Sequence, residues 1–317
     1  MITTNYNKLA EQLVGDSCLS LCPGQPIPRS TDRVKTYHVH GSIDSPIKMV
    51  VTAEDYFNFM SCETYFSRKL STILHENTVI IMGYPLGDTN LKAILNNYRT
   101  FVKTHHISNN IIFVAKGTVE QCIVDYYATC YGIRVIQKTE IETFFQNLDK
   151  EKENAEEIYR ASIDSFRSVF TKAHEYEESF LKKKISFYSI ISSIAAEGKS
   201  LNDPHVVSQL DKIINIKQRL AGENGAWDQY VELASWLCYL GTILDVRGTQ
   251  LENTFCSAVA FSMNKMRRER KLGYSWDAYK VWANDWQNMR IDNRLLIKTM
   301  NKEELEDFAE KFIKQAI

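Results

Sequence analysis

The chain has 317 residues, of which 44% are hydrophobic and 24% are charged, and its formal net charge at pH 7 is -1. These values are typical of one large or two ordinary globular domains, and they exclude a general electrostatic attraction to nucleic acid or anionic membrane. The sequence contains no apolar run long enough to span a bilayer and no recognisable secretory signal. We therefore expect a cytoplasmic protein without a membrane or nucleic-acid partner, whose cysteines stay reduced.

The first half of the sequence predicts strands that alternate with helices. Short strands are expected at 1–5, 18–22, 34–39, 78–82, 110–115 and 132–136. Helices are expected at 6–14 with Gly15 as C-cap, after the N-cap Thr52, after the turn at 83–88, and at 119–131. The helix after Thr52 should bury Tyr56, Phe59 and Phe66. Strands and helices joined by short turns indicate an α/β fold with a doubly wound parallel sheet of the Rossmann type.

The composition changes near Asn147, where strand patterns become scarce. The charged stretch at 149–154 is suitable for a linker or for the opening of a long helix. Apolar residues recur at helical spacing after it, with breaks near Gly198, Asp203-Pro204, Gly222 to Gly225 and Gly273. The sequence thus predicts an α/β domain at 1–148 and an all-helical domain at 149–317. The tryptophans at 276, 282 and 286 are expected in a core or an oligomer interface.

His40-Gly41 is the strongest single candidate for chemistry. The pair follows a predicted parallel strand, and ligands of open α/β sheets bind beyond the carboxyl ends of strands. Glycine permits a sharp turn there, and an imidazole titrates near neutral pH and can accept a proton. A packed histidine before a turn is the alternative. Neither Cys18 and Cys22 nor His105-His106 has the further ligands that a metal site needs, so no metal site is expected.

Four short motifs carry a resemblance when they are taken together. In chain order they are Thr3-Thr4-Asn5-Tyr6, His40-Gly41-Ser42, Thr52-x-Glu54-Asp55-Tyr56 and Gly83-Tyr84-x-Leu86-x-Asp88-x-Asn90. Over roughly residues 1–140 the sequence resembles the sirtuin-like domain of bacterial anti-phage NAD hydrolases. The resemblance implies a sirtuin-like fold that uses NAD as a substrate, cleaves the bond between nicotinamide and ribose, and acts in antiviral defence by NAD depletion.

The resemblance also implies roles for individual residues. Asn5 would orient the nicotinamide ribose or a water molecule, and His40 would be the catalytic base. An alternative for Asn5 is to cap the helix that follows it. The implied nucleotide-binding residues are Thr4, Asn7, Gly41, Gly83, Tyr84, Leu86, Asp88 and Lys116. Asp88 is equally suitable as the N-cap of its helix, and Lys116 as part of a solvated turn.

Three departures from the family pattern bear on this hypothesis. The family's Gly-Ala-Gly-x-Ser phosphate loop lies upstream of the Thr-Thr-Asn motif, so we expect that an N-terminal segment is missing before Met1. Asn7 stands where the family usually has Asp, and Pro85 stands where Ser is common, which removes a hydroxyl and an amide hydrogen. The zinc module of deacylating sirtuins is also absent, so no zinc and no protein deacylation are expected.

The resemblance extends to partners and to a second functional hypothesis. The helical domain is expected to form a homo-oligomer or to bind a partner, such as a HerA-type ATPase or a phage protein that acts as trigger. The alternative to a hydrolase is a catalytically impaired sirtuin-like scaffold, or a nucleotide-sensing subunit of a defence complex.

Overall fold

In the computed structural model the chain divides into two compact units. The first comprises Met1–Asn77 and Leu86–Tyr98, and the second comprises Thr78–Pro85 and Arg99–Ile317. The structure describes the chain apart from residues 29, 62–64, 86–91, 93–94, 96–97, 99–110, 173–174, 265–273, 301–312 and 314–317. The predicted boundary at residue 148 stays a prediction.

The first unit is built on a three-stranded sheet. Its strands are β1 (Ile2–Thr3), β2 (Cys18–Leu21) and β3 (Val34–His38). Their order is β1-β3-β2, and both pairings are parallel. The predicted strands are therefore confirmed, and β3 takes the central position.

In the described part of the first unit, the helices with defined bounds are α1 (Leu9–Val14), α2 (Ala53–Ser61) and α3 (Tyr65–Glu76). Gly15 adopts a positive φ of 71° directly after α1, and its N–H donates to the carbonyl of Glu11. Before α2, the N–H of Asp55 donates to Oγ1 of Thr52, and the N–H of Thr52 donates to the Asp55 carboxylate. This reciprocal cap fixes the start of α2 and confirms the predicted role of Thr52.

The core of the first unit is small. Leu21, Tyr37, Val39 and Leu70 are buried together. Tyr56 and Phe59 are half-buried, and the side chain of Phe66 lies outside the described residues. The apolar residues of α1 recur at helical spacing, yet one of them, Leu13, is 79% exposed. The apolar spacing in α1 therefore did not produce a buried face in this unit.

The second unit begins with another three-stranded sheet, formed by β4 (Val79–Met82), β5 (Ile111–Val114) and β6 (Ile133–Ile136). Its order is β4-β5-β6, and both pairings are parallel. Helix α4 (Gln121–Tyr131) joins β5 to β6 and ends at Gly132, which is left-handed. The α/β class with parallel pairing is thus confirmed, and its described strands lie in two three-stranded sheets.

The rest of the second unit is helical. The helices are α5 (Ile141–Lys172), α6 (Glu178–Leu181), α7 (Ser186–Ala196), α8 (Pro204–Ala221), α9 (Trp227–Ile243), α10 (Glu252–Asn264), α11 (Tyr274–Asp285) and α12 (Ile291–Thr299). The charged stretch at 149–154 lies inside α5, so the linker alternative is wrong and the long-helix alternative is confirmed. Helices end or begin at three of the four predicted breaks, and Gly273 lies outside the described residues.

The helical part has an extensive apolar core. Trp282 and Trp286 are buried in it, and the indole N–H of Trp282 donates to Oγ of Ser262 at 2.9 Å. The core interpretation of the tryptophans is therefore confirmed for these two, whereas the side chain of Trp276 lies outside the described residues. Across the described helices, none is long and apolar enough to cross a membrane.

The charged side chain of Lys217 is buried in this helical part. The ammonium group of Lys217 donates to the carbonyl of Leu181 at 3.0 Å and to the carboxylate of Glu232 at 2.6 Å. It also lies 4.3 Å from the centre of the Trp236 ring. Burial lowers the pKa of Lys217, and the hydrogen bond and charge of Glu232 oppose that shift. The cation is thus held by a full set of partners, as burial of a charge requires.

Candidate functional site

The first sheet brings the segments of Asn5 and His40 to the same edge. Thr3 of β1 lies opposite His38 of β3 in a parallel pairing, and the N–H of Val39 donates to the Thr3 carbonyl at 2.9 Å. Asn5 and His40 each come two residues after this matched pair. Because parallel strands point the same way, both residues follow the carboxyl ends of adjacent strands, where ligands of such sheets bind.

Hydrogen bonds connect the segment after β1, which contains Asn5, with the segment after β3, which contains His40. The N–H of Val50 donates to the carbonyl of His40 at 2.9 Å, and the hydroxyl of Tyr6 donates to the carbonyl of Val50 at 2.6 Å. The N–H of Ile43 donates to the carbonyl of Tyr6 at 3.0 Å. Tyr6 is the neighbour of Asn5, so these bonds connect the chain next to Asn5 with the chain around His40.

The imidazole of His40 is 4% exposed and has aromatic neighbours. Its ring centre lies 5.1 Å from that of Tyr56 and 5.8 Å from that of Phe59, and both contacts are edge-on. Aromatic rings packed in this way fix the orientation of the imidazole. This burial is compatible both with a base held in one orientation and with the packed-histidine alternative.

Gly41 is required by the turn after His40. Its φ is +90°, a conformation that other residues rarely adopt. A Cβ atom at this position would lie 2.8 Å from the carbonyl oxygen of Lys48 and 2.9 Å from Cα of Met49. Any other residue at this position would require a shift of the backbone. Glycine is therefore needed for the path that the chain takes directly after His40.

Asn5 differs from His40 in being exposed. Its backbone N–H donates to Oγ1 of Thr3 at 3.1 Å. Helix α1 begins only at Leu9, and the side chain that reaches its first turn is that of Asn7, whose Oδ1 accepts from the Leu9 N–H at 3.4 Å. The helix-capping alternative for Asn5 is therefore wrong. Thr4, next to it, is half-buried.

His38 is a residue that the sequence interpretation missed. Its imidazole is fully buried. Nδ1 lies 3.1 Å from the carbonyl oxygen of Asn5, and Nε2 lies 2.6 Å from Oε1 of Glu11. A carbonyl oxygen only accepts hydrogen bonds, so Nδ1 must donate to Asn5.

The partners of Glu11 shift its pKa. Burial by itself raises the pKa of Glu11, but hydrogen bonds with His38 and Ser20 outweigh it and lower the pKa to about 2. Glu11 is therefore a carboxylate at neutral pH. The pair fastens helix α1 to the backbone of Asn5 through β3.

Lys8 adds a second charged link at the start of α1. Its ammonium donates to Oγ of Ser20 at 2.6 Å and lies 2.8 Å from the carboxylate of Asp44 and 3.5 Å from that of Glu11. Asp44 belongs to the turn that follows His40-Gly41. The ion pair therefore connects α1 with this turn, in addition to the connection through His38.

The remaining predicted site residues belong to the second unit or lie outside the described residues. Gly83 follows β4 with a φ of +62°, and Tyr84 beside it is half-buried. Lys116 follows β5 and pairs with Glu140 at 3.0 Å in an exposed position, as a solvated turn would. Leu86 and Asp88 lie outside the described residues.

The described part of the chain contains no group of three or more histidine, cysteine or acidic side chains that could hold a metal ion. His105-His106 lies outside it. Within the described residues, the chemistry available at the edge of the first sheet is that of an amide, an imidazole and the charged groups of α1.

Two comparisons with known proteins found similar sequences. Residues 1–136 match the family model of the SIR2-like domain. Over 170 residues the chain is 25% identical to Defense-associated sirtuin 2 of Bacillus subtilis. This alignment covers 52% of the present chain and 16% of the Bacillus subtilis protein. The chain thus spans about a sixth of the length of this curated relative.

Proposed function

We propose that the SIR2-like domain formed by residues 1–136 hydrolyses NAD, with Asn5 and His40 as its catalytic residues. The observation that carries the proposal is the parallel pairing of β1 with β3, which brings the segments of these two residues together. Thr4, Asn7, Gly41, Gly83, Tyr84, Leu86, Asp88 and Lys116 are proposed to contact the nucleotide. NAD is the substrate in this scheme, and zinc has no part in it.

The proposed reaction needs no general acid at the leaving group, because nicotinamide leaves as a neutral molecule. The bond between the nicotinamide nitrogen and C1′ of the ribose breaks, and its electron pair leaves with nicotinamide, which becomes neutral. The ribose passes through an oxocarbenium-like state, as in other glycosidic cleavages. A water oxygen then bonds to C1′, and the water proton passes to His40. The products are nicotinamide and ADP-ribose.

The environments of the two residues support these roles. The exposed amide of Asn5 is suited to orient a ribose hydroxyl or the attacking water, because its backbone is held by Thr3 and His38. The imidazole of His40 is held by Tyr56 and Phe59, and a positioned imidazole is an effective proton acceptor near neutral pH.

The sharpest test replaces Asn5 with alanine and follows nicotinamide release from NAD. The side chain of Asn5 is exposed, and the bonds described above use its backbone, so the variant should fold normally. We expect kcat to fall about 100-fold or more, as for loss of a positioning group. Asn58→Ala, which removes an exposed amide from α2, is the matched control and should leave the rate unchanged. Equal release by Asn5→Ala and wild type would remove Asn5 from the mechanism.

His40→Ala tests the proposed base. We expect nicotinamide release to fall about 100- to 10,000-fold, the usual contribution of a general base. His40 is buried, so circular dichroism and NAD binding must show that the variant folds. His205→Ala removes an exposed histidine from α8 and serves as the control. Unchanged release by a folded His40→Ala protein would favour the packed-histidine alternative.

A second candidate function is NAD binding without hydrolysis, as in a scaffold or nucleotide-sensing subunit. The observation that favours it is the hydrogen bond from the Leu9 N–H to Asn7, which uses this side chain at the start of α1. Equilibrium dialysis with NAD, combined with the release assay, separates the two functions. Saturable binding with no nicotinamide release would support the second candidate and overturn the first.

We further propose that the activity serves antiviral defence by NAD depletion, with the helical part forming a homo-oligomer or binding a HerA-type ATPase or a phage protein. The name of the Bacillus subtilis relative supports the defence role. In cells that express the protein, phage plating should fall and NAD should drop after infection, and Asn5→Ala should abolish both effects. Light scattering on the purified chain tests the homo-oligomer.

A further inference from the structure

The second unit contains a cavity that the proposed NAD chemistry does not use. Its volume is about 440 Å³, within the range of about 300–1,000 Å³ that is usual for small-molecule sites. Strand β6, helices α4, α7, α9 and α11, and the turn before α12 form its walls. The side chains on which the argument depends are Arg134, Tyr188, Tyr239, Asp285, Asn288 and Arg290.

Two guanidinium groups give the cavity its positive charge. Among the described residues, neither Arg134 nor Arg290 has a carboxylate within ion-pair distance; Asp245 pairs with Arg247 at 2.8 Å. Burial raises the pKa of Asp245, but the hydrogen bonds and charge of Arg247, and then the charge of Arg290, lower it overall. The Nε atom of Arg290 is buried and has no hydrogen-bond partner within the same described residues. Such a donor can donate to an anionic ligand, and a guanidinium is the preferred partner of phosphate.

The aromatic wall supplies flat surfaces and hydroxyl donors. The rings of Tyr188 and Tyr239 lie 4.8 Å apart at their centres, and the guanidinium of Arg134 lies 5.9 Å from the Tyr239 ring centre. Burial raises the pKa of Tyr188 to about 12, with a smaller contribution from the charge of Asp285. The Tyr188 hydroxyl therefore remains protonated at neutral pH and can donate a hydrogen bond.

Asp285 and Asn288 limit the ligand further. The amide of Asn288 donates to the Asp285 carboxylate at 3.3 Å, and burial raises the pKa of Asp285 against that hydrogen bond. A simple anion gains nothing from a carboxyl group in its site. A ligand that carries hydroxyl or amino donors in addition to its anionic group could contact both the guanidinium groups and the Asp285 carboxyl group.

We propose that this cavity binds a nucleoside monophosphate. Its phosphate would contact the guanidinium groups of Arg134 and Arg290, and its ring would lie against Tyr188 and Tyr239. Sugar hydroxyls or base amino groups would donate to Asp285. The site differs from the proposed NAD site, because none of its lining residues is among the residues proposed to contact NAD.

Calorimetric titration of the full chain with 5′-AMP, 5′-GMP, 5′-CMP and 5′-UMP tests the proposal. At least one nucleotide should bind saturably, and the matching nucleoside without phosphate should bind at least about tenfold more weakly, because charge-assisted contacts to Arg are lost. Arg134→Gln and Arg290→Gln should each weaken binding by about tenfold or more. No saturable binding of any of the four nucleotides to the wild-type protein would overturn the proposal.

Two controls make the titration specific. Arg167→Gln removes an exposed guanidinium from α5 that pairs with Glu197, so it should leave nucleotide affinity unchanged. Asn5→Ala alters the proposed NAD site, so binding that persists in this variant and is weakened by Arg134→Gln and Arg290→Gln belongs to the cavity of the second unit. Binding abolished by Asn5→Ala but unaffected by Arg134→Gln and Arg290→Gln would place the nucleotide at the NAD site and refute the proposal.

Discussion

The imidazole of His38 and the carboxylate of Glu11 form a hydrogen bond of 2.6 Å inside the first unit. They are 27 residues apart in sequence, and the ring also contacts the carbonyl oxygen of Asn5. The pair therefore connects α1 to the segment that carries the proposed catalytic amide. Its removal is expected to affect both the stability of the first unit and the geometry of Asn5.

Stability at acid pH should depend on Glu11. Its pKa is about 2 in the folded protein, against a usual value of 4.5. The ionised carboxylate therefore contributes stability above pH 4.5, and this contribution is lost as the pH falls from about 4.5 to about 2. Calorimetry from about pH 7 to about pH 3 should show a steeper fall of Tm for wild type than for Glu11→Gln. Glu54→Gln, at an exposed position, should follow wild type, and parallel curves for all three proteins would contradict the prediction.

His38 and Glu11 should behave as a coupled pair. His38→Gln and Glu11→Gln each leave a buried partner without its hydrogen bond, so each should cost about 1–3 kcal/mol of unfolding free energy. The double variant should cost less than the sum, with a coupling of about 0.5–3 kcal/mol. Urea unfolding of the four proteins measures this cycle. Strict additivity would mean that the hydrogen bond contributes nothing to stability.

Gly41→Ala should destabilise the first unit and impair nicotinamide release. The new Cβ atom meets the backbone of Lys48 and Met49 at a φ that disfavours alanine, so we expect a loss of at least about 2 kcal/mol. Gly117→Ala is the matched control, because no atom lies within 4 Å of its added Cβ. Urea unfolding should show a change within about 1 kcal/mol for this control. Equal stability of the two variants would show that the turn can shift.

In the second unit, Lys217→Met should cost about 1–3 kcal/mol, because it leaves the Glu232 carboxylate and the Leu181 carbonyl without their donor. Adding Glu232→Gln should recover part of this loss, since the unpaired charge is removed. Tryptophan fluorescence during urea unfolding reports the change through Trp236. Lys212→Met, at an exposed position on α8, should change stability by less than about 0.5 kcal/mol. A double variant less stable than Lys217→Met would contradict the charge argument.

Local patterns in the sequence predicted most of the fold. The β-branched residues of β1, the glycine after α1 and the cap formed by Thr52 and Asp55 depend on neighbours within a few residues, and the structure confirms all three. The stretch at 149–154 was ambiguous, because a run of charged residues is compatible with both an exposed helix and a linker.

The features that sequence reasoning missed depend on contacts between distant residues. Thr36, Tyr37 and His38 are consecutive on β3 and all buried, so treating this strand as covered on both faces could have placed His38 in the interior. Its partner Glu11 belongs to a different helix, and no local pattern identifies it. The exposure of Leu13 could not be predicted either. Helical spacing identifies the apolar face of a helix, but it does not show whether another element packs against that face.

Strand β3 is hydrogen-bonded on both sides, to β1 and to β2. Its amides are therefore expected to exchange with solvent more slowly than those of either edge strand, because edge strands can detach while the middle of the sheet persists. The chain reaches His40 directly from this strand. We therefore expect the imidazole of His40, the proposed base, to keep its orientation through the partial openings that heat or mild denaturant causes first, and to lose it only when the whole sheet comes apart.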